Sequence, residues 1–253
     1  MATGPSERRN PTKLTCRNTA TELEEATCDT MILPIGAIEQ HGGHLPLGTD
    51  WLLVQQWADR IGEVLGAYVL PAMPISSSIE HRLRKGTVYV RAATLGRLVE
   101  DMAECAASSG FRRLIVLSVH GGNWILKPTV RQLNRDYPQL ATVLLELTHV
   151  SSAYVGHLEQ PDCDIHAGEM ETSLMLHLYP ELVHEVEADC MDAPYPREYM
   201  DYFDTSELTR SGVWGRPELA STEKGEAVLR SIEEAALQYL DKVETAFHRL
   251  RPR

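Results

Sequence analysis

Short apolar runs rich in branched side chains recur along the chain at residues 31–35 (Met-Ile-Leu-Pro-Ile), 67–71, 114–119 and 141–147. Each is too short for a buried helix and has the near-continuous apolar character of a strand covered on both faces. Between and after them, apolar positions return at helical spacing over residues 50–65, 95–109, 124–137, 169–179 and 222–250. Strands joined by helical crossovers favour parallel pairing, so the pattern predicts an α/β fold, a three-layer α/β/α arrangement around a mostly parallel central sheet. On such sheets functional groups collect beyond the carboxyl ends of the strands.

Chemistry-bearing side chains stand at those ends. Glu39-Gln-His41-Gly-Gly-His44-Leu-Pro-Leu-Gly-Thr-Asp50 follows the first run, and His120-Gly-Gly-Asn123 follows the third. Asp164-Ile-His166-Ala-Gly-Glu169-Met-Glu171-Thr-Ser173 opens a helical segment. Taken singly, these residues have structural readings: Asp50 is placed to cap the helix beginning at Trp51, and Glu171 suits a helix first turn. Taken together, Glu39, His41, Asp50, His120 and Glu169 form a carboxylate and imidazole set able to hold zinc, manganese or iron, with one carboxylate bridging two ions. Two such ions, one activating hydroxide and one polarising a carbonyl, suit hydrolysis of an amide-type bond. His44 reads either as a site residue or as a hydrogen-bonded loop histidine, and Asn123 either orients a ligand or caps the helix after it.

Composition narrows the setting. The 253 residues show no linker composition or change of charge, so residues 14–253 read as one domain preceded by a flexible polar tail over residues 1–13. A formal net charge of −12 opposes nucleic acid and anionic membrane surfaces. No run approaches the roughly 20 apolar residues of a membrane span, and no signal peptide is evident, so a cytoplasmic protein is expected. The five cysteines are widely spaced without a Cys-x-x-Cys pair, which argues against a disulfide framework or a thiolate zinc site.

Pro34-Ile-Gly-Ala-Ile-Glu39-Gln-His41-Gly with Leu45-Pro-Leu-Gly-Thr-Asp50, then His120-Gly-Gly-Asn123, then His166-Ala-Gly-Glu169-Met-Glu171-Thr-Ser173, resemble the creatininase (creatinine amidohydrolase) family over residues 31–186, with Ser221-Thr-Glu-Lys-Gly225 resembling its closing helix start. The resemblance implies a two-metal amidohydrolase and a homohexamer built from dimers. It implies that Glu39 and His41 each hold a different ion, that Asp50 bridges them, and that His120 completes one site. In creatininase itself a glutamate two residues after the matching histidine supplies the fifth ligand, but Gly122 stands there in this chain. The His-Ala-Gly-Glu variant of other family branches offers Glu169 instead. His166 matches the histidine that handles protons at the leaving group, and Glu171 is expected to support a ligand from behind.

Creatinine is not the expected substrate, because the Trp-Asp pair that encloses it in creatininase is replaced by Asp162-Cys163. The resemblance leaves a small cyclic amide, a formamide or a short peptide, with a peptide-trimming maturase of a mycofactocin-type pathway or a non-catalytic scaffold subunit as alternatives. The segment Ser76-Ser-Ser78-Ile-Glu80-His81-Arg82-Leu-Arg84-Lys85 aligns with a family loop beside the pocket, where Ser78 and His81 would meet substrate or ligands. Arg84 would there meet a substrate anion, unless the loop is solvated or forms a subunit contact. The aromatic-rich stretch 192–214 reads as a lid or an oligomer contact.

Overall fold

Strand β2 (Thr30–Ile35) is buried along its whole length, as its unbroken apolar run requires. It lies between β3 (Tyr68–Val69) and β4 (Arg113–Ser118). The other strands are β1 (Leu14–Thr15) and β5 (Ala141–Glu146), and the order is β1-β3-β2-β4-β5 with every pairing parallel. Pro34, unusual in a central strand, sits between the last β2–β3 pair, Ile32 with Val69, and the isolated Ile35–Met73 bridge, so its missing N–H falls where the pairing on that side is broken. The computed structural model describes residues 13–186 and 195–251; the tail 1–12 and residues 187–194 of the loop lie outside these.

The helices are α1 (Ala20–Glu25), α2 (Thr49–Leu65), α3 (Ala92–Ser108), α4 (Leu126–Asp136), α5 (Ser151–Tyr154), α6 (Glu169–Leu178), α7 (Thr205–Leu208) and α8 (Thr222–Leu250). Side-chain alternation along the strands assigns them to layers. Ile32, Ile115, Leu117, Val143 and Leu145 face α2, α6 and α8. Met31, Leu33, Ile35, Leu114, Val116 and Leu144 face α3 and α4. The expected three-layer α/β/α arrangement is therefore present. No helix among the described residues is long and apolar enough to cross a membrane.

Three local features depart from the pattern reading. Helix α1 opens on a Thr19–Glu22 capping box and buries no residue, so it left no apolar period to read. Strand β1 is two residues long. Helix α4 begins at Leu126 rather than at Trp124, because Asn123, Trp124 and Ile125 form a turn closed by Leu126 N donating to the Asn123 carbonyl at 3.0 Å.

After β2 the chain crosses through α2 to β3 on one side, whereas after β4 it crosses through α4 to β5 on the other. The crevice between the carboxyl ends of β2 and β4 is thus the topological switch point, where α/β sheets bind ligands.

Candidate metal centre

Glu39 and His41 come from the loop after β2, Asp50 from the first turn of α2, and His120 from the residues after β4. The loop can fold back on the helix because Gly36 allows it: a Cβ there would lie 2.5 Å from Trp51 Cα. Glu39 N donates to the Leu47 carbonyl at 2.9 Å, which fixes the loop's return. All four side chains are buried, Glu39 and His41 completely.

Their donor atoms take part in three groups whose members lie within 4.8 Å of one another: Glu39, Asp50 and His120; His41, Asp50 and Glu171; and Glu39, His41 and His166. The first two have Asp50 in common. His41 Nε2 lies 3.7 Å from Asp50 Oδ1 and 3.9 Å from Glu171 Oε2. His120 Nδ1 lies 3.5 Å from Asp50 Oδ2. The backbone sets the ring tautomers: His41 Nδ1 donates to its neighbour Glu39 carbonyl at 3.1 Å and His120 Nε2 to the Ser77 carbonyl at 2.8 Å. Each ring thereby turns its other nitrogen toward the carboxylates, the nitrogen that would release its proton to bind a metal ion.

Glu39 Oε1 and Oε2, His41 Nε2 and Asp50 Oδ2 are buried without a hydrogen-bond partner among the described residues. Each such atom costs about 1–3 kcal/mol, and more when charged. Four of them converging from three side chains make a set that could hold a divalent cation, and its oxygen and nitrogen chemistry fits zinc, manganese or iron. The site's own positive charge sits on its histidines. Burial opposes it, yet Asp50, Glu171 and Glu39 raise His41 to about 10, while Glu39 and Asp50 likewise hold His120 well above the usual range. Burial also opposes the charged form of Glu39, but His120, His81 and His166 hold it well below the carboxylate range.

Glu169 does not join this group. Although it opens α6 as the motif suggested, its carboxylate turns away, accepts the Glu159 N–H at 2.9 Å and ion-pairs with Lys224 of α8. One helical turn geometry explains the exchange: residues 169 and 171 point to different faces, and it is Glu171 that faces His41. The Ala167 N–H donates to Glu171 Oε2 at 2.6 Å, from a backbone held at φ 51°, a left-handed conformation that strains a non-glycine residue. Burial pushes Glu171 up to about 7. Gly122 cannot carry the alternative ligand here, because a Cβ would lie 2.6 Å from the Ser77 carbonyl and 2.0 Å from Glu80 Oε1.

His166 Nδ1 lies 3.7 Å from Glu39 Oε1, and its Nε2 donates to the Gln40 carbonyl at 2.7 Å. Burial, with His41 and His81 nearby, keeps this ring well below the usual histidine range and hence neutral. His81 Nε2 lies 3.5 Å from the same Glu39 oxygen, and Ser78 Oγ 3.3 Å from His120 Nε2, so both sequence-selected loop residues reach the site. Asn123 ties that loop to β4, accepting from Ser77 N and donating to Ser118 Oγ, both at 3.2 Å. His44 bonds Thr172 at 2.9 Å, the loop-histidine reading, and burial pushes its ring down to about 4.

Arg84 points elsewhere. Its guanidinium donates to the carbonyls of Thr209 and Arg210, and Arg82 pairs with Asp204 at 2.9 Å, so the basic loop clasps the segment before Trp214. Trp214 is itself buried and pairs its backbone with His166. Tyr195, Tyr199, Tyr202 and Phe203 are exposed, while residues 192–194 of the aromatic stretch lie outside the described residues. Sequence reasoning missed Gln40 and Glu80, which border the site; their adjacency to Glu39, His41 and His81 was the available signal.

A parallel α/β sheet with carboxylates and imidazoles converging at its switch point defines a metal-binding α/β protein of the hydrolase type. The family model described as creatininase, creatinine amidohydrolase, matches residues 17–240, and the chain belongs to the creatininase family as a metal-dependent amidohydrolase. Creatinine amidohydrolase of Pseudomonas putida is 31% identical over 219 residues, 79% of this chain and 84% of that one. A mycofactocin precursor peptide peptidase of Mycolicibacterium smegmatis is 30% identical over 207 residues, 78% of each chain. A manganese creatininase structure, 25% identical, superposes with a TM-score of 0.72 over 95% of this chain and 100% of that one.

Proposed function

We propose that the chain hydrolyses a C–N bond in a small cyclic amide, formamide or short peptide at a dinuclear centre. Glu39 and His120 would hold one ion, His41 and Glu171 the other, and Asp50 both. The observation that carries this reading is the sharing of Asp50 by two donor groups, in which both Glu39 oxygens, His41 Nε2 and Asp50 Oδ2 are buried without a hydrogen-bond partner among the described residues. Zinc, manganese or iron bound there would supply water acidified from a pKa of 15.7 toward about 7 and a Lewis acid for the carbonyl.

The protein's own groups supply the rest. His166 is neutral and directs Nδ1 toward the site, so it accepts a proton as water adds to the carbonyl and returns it to the departing nitrogen. His81 faces the same Glu39 oxygen from the other side. Burial of the cluster excludes bulk water and strengthens each of these interactions. Homohexameric assembly in the cytoplasm belongs to the same reading, and the exposed Tyr195, Tyr199, Tyr202 and Phe203 support a subunit contact near the site.

Asp162-Cys163 in place of a Trp-Asp pair, together with Glu171 in place of a ligand at position 122, supports a substrate other than creatinine. The test is a panel of creatinine, cyclic ureides, formamides and short peptides, assayed for new carboxylate or amine. Chelator-treated and metal-reloaded protein are compared. Turnover that is metal-dependent and lost in His166→Ala is expected. Equal product from the chelator-treated and reloaded forms would refute the proposal.

A further inference from the structure

Gln40 stands between two of the centre's donors in sequence and is 6% exposed, and its hydrogen bonds can be assigned proton by proton. The amide orientation is fixed by two backbone groups: Oε1 accepts the Gly42 N–H at 3.1 Å, and Nε2 donates to the Gly212 carbonyl at 2.9 Å. Gly212 holds φ +84°, and a Cβ there would lie 1.8 Å from Gln40 Oε1, so the two residues fit closely. One amide proton remains, and His81 Nδ1 lies 2.9 Å away to accept it. His81 must then carry its own proton on Nε2, the atom 3.5 Å from Glu39 Oε1.

The backbone of the same residue governs the neighbouring ring. His166 Nε2 is 3.1 Å from the Gln40 amide nitrogen, which has no proton left for it. It is also 2.7 Å from the Gln40 carbonyl, which takes the ring's Nε2 proton. The bare nitrogen of His166 is therefore Nδ1, 3.7 Å from the same Glu39 oxygen. The two rings stand 4.4 Å apart at their centroids, one showing the centre an N–H and the other a lone pair.

We propose that Gln40 is a positioning residue that sets His81 and His166 in opposite roles, donor and acceptor, on either side of Glu39. The tautomers follow from hydrogen bonding alone, and only their kinetic consequence rests on the hydrolase reading. There, His81 Nε2–H is placed to hold a substrate oxygen as negative charge develops on it, and His166 Nδ1 to receive the proton.

The experiment is magic-angle-spinning 15N NMR of the full chain labelled at histidine, metal-free and zinc-loaded, with His81→Asn and His166→Asn spectra for assignment. Both rings are expected as Nε2–H with a bare Nδ1 in the metal-free protein. Gln40→Glu offers His81 Nδ1 an acceptor instead of a donor, so His81 alone should switch to Nδ1–H while His166, held by backbone, stays unchanged. With a hydrolysable substrate, kcat should fall about 100-fold in that variant while KM and zinc content stay within about threefold. His81 as Nδ1–H in the wild type, or unaltered in Gln40→Glu, would overturn the proposal. The wild-type spectrum decides the placement even where the variant does not fold. The stated tautomers in a protein that hydrolyses no amide would uphold the placement and refute the hydrolase reading instead.

Discussion

Replacing Glu169 and Glu171 separately by glutamine should damage different properties. Glu169 is 1% exposed, accepts backbone N–H groups of Glu159 and Gln160, and pairs with Lys224, whose side chain is 22% exposed. Breaking a fully buried pair costs about 3–5 kcal/mol. Lys224 keeps the Glu159 carboxylate at 2.8 Å and the Leu219 carbonyl at 2.7 Å, and the amide retains an acceptor oxygen. A loss of about 2 kcal/mol is therefore expected, or about 4–8 °C in Tm for a chain of this size. Glu171→Gln removes a carboxylate that burial already pushes up to about 7, so metal-free stability should hold or rise. Scanning calorimetry on chelator-treated protein and elemental analysis after reloading separate the two. Glu169→Gln should melt lower with full metal, and Glu171→Gln should lose metal with a melt unchanged or higher. The reverse pattern would refute the reasoning and return the ligand role to Glu169.

Gly122→Ala should cost about 2–4 kcal/mol in urea melts, combining overpacking with loss of the His120 bond to Ser77, because the Ser77 carbonyl cannot withdraw from a Cβ 2.6 Å away. Ala167→Gly relieves about 1 kcal/mol of left-handed strain but gives up a buried methyl and adds chain entropy, so its Tm should move little; Ala167→Val should lose more than about 2 kcal/mol by the same melt. Asp164 is raised by burial from 3.8 to about 6 while it caps the start of α6. The native carboxyl therefore holds its proton where the unfolded one has released it, and its contribution to stability falls as pH rises from about 4 to about 6. Asp164→Asn should flatten that part of the pH–stability curve, a change of order 2–3 kcal/mol, and an unaltered curve would contradict it.

The sheet was legible where burial is complete. Strands β2, β4 and β5 lie within a residue of their apolar runs because both faces are covered and every position must be apolar. Residues 67–71 yielded only the two-residue β3, since Pro71 ends the ladder soon after Val69. The convergence of Glu39, His41, Asp50 and His120 was legible because each follows a strand or opens a helix at the switch point. The place of Glu171 beside them was not. Which of Glu169 and Glu171 faces His41 depends on the rotation of α6 about its axis, and α6 packs on α8, a helix some fifty residues away in sequence whose Lys224 pairs with Glu169. The role of Arg84 was hidden for a similar reason, since its partners at residues 209 and 210 lie in a segment without regular pattern.

Metal content per subunit tests the central claim most directly, measured by elemental analysis on protein purified without chelator, beside Asp50→Ala. The shared position of Asp50 predicts close to two ions in the wild type and fewer than one in the variant, with hydrolysis lost. A wild type holding one ion or none, or an Asp50→Ala protein that keeps both, would contradict a centre built around that carboxylate.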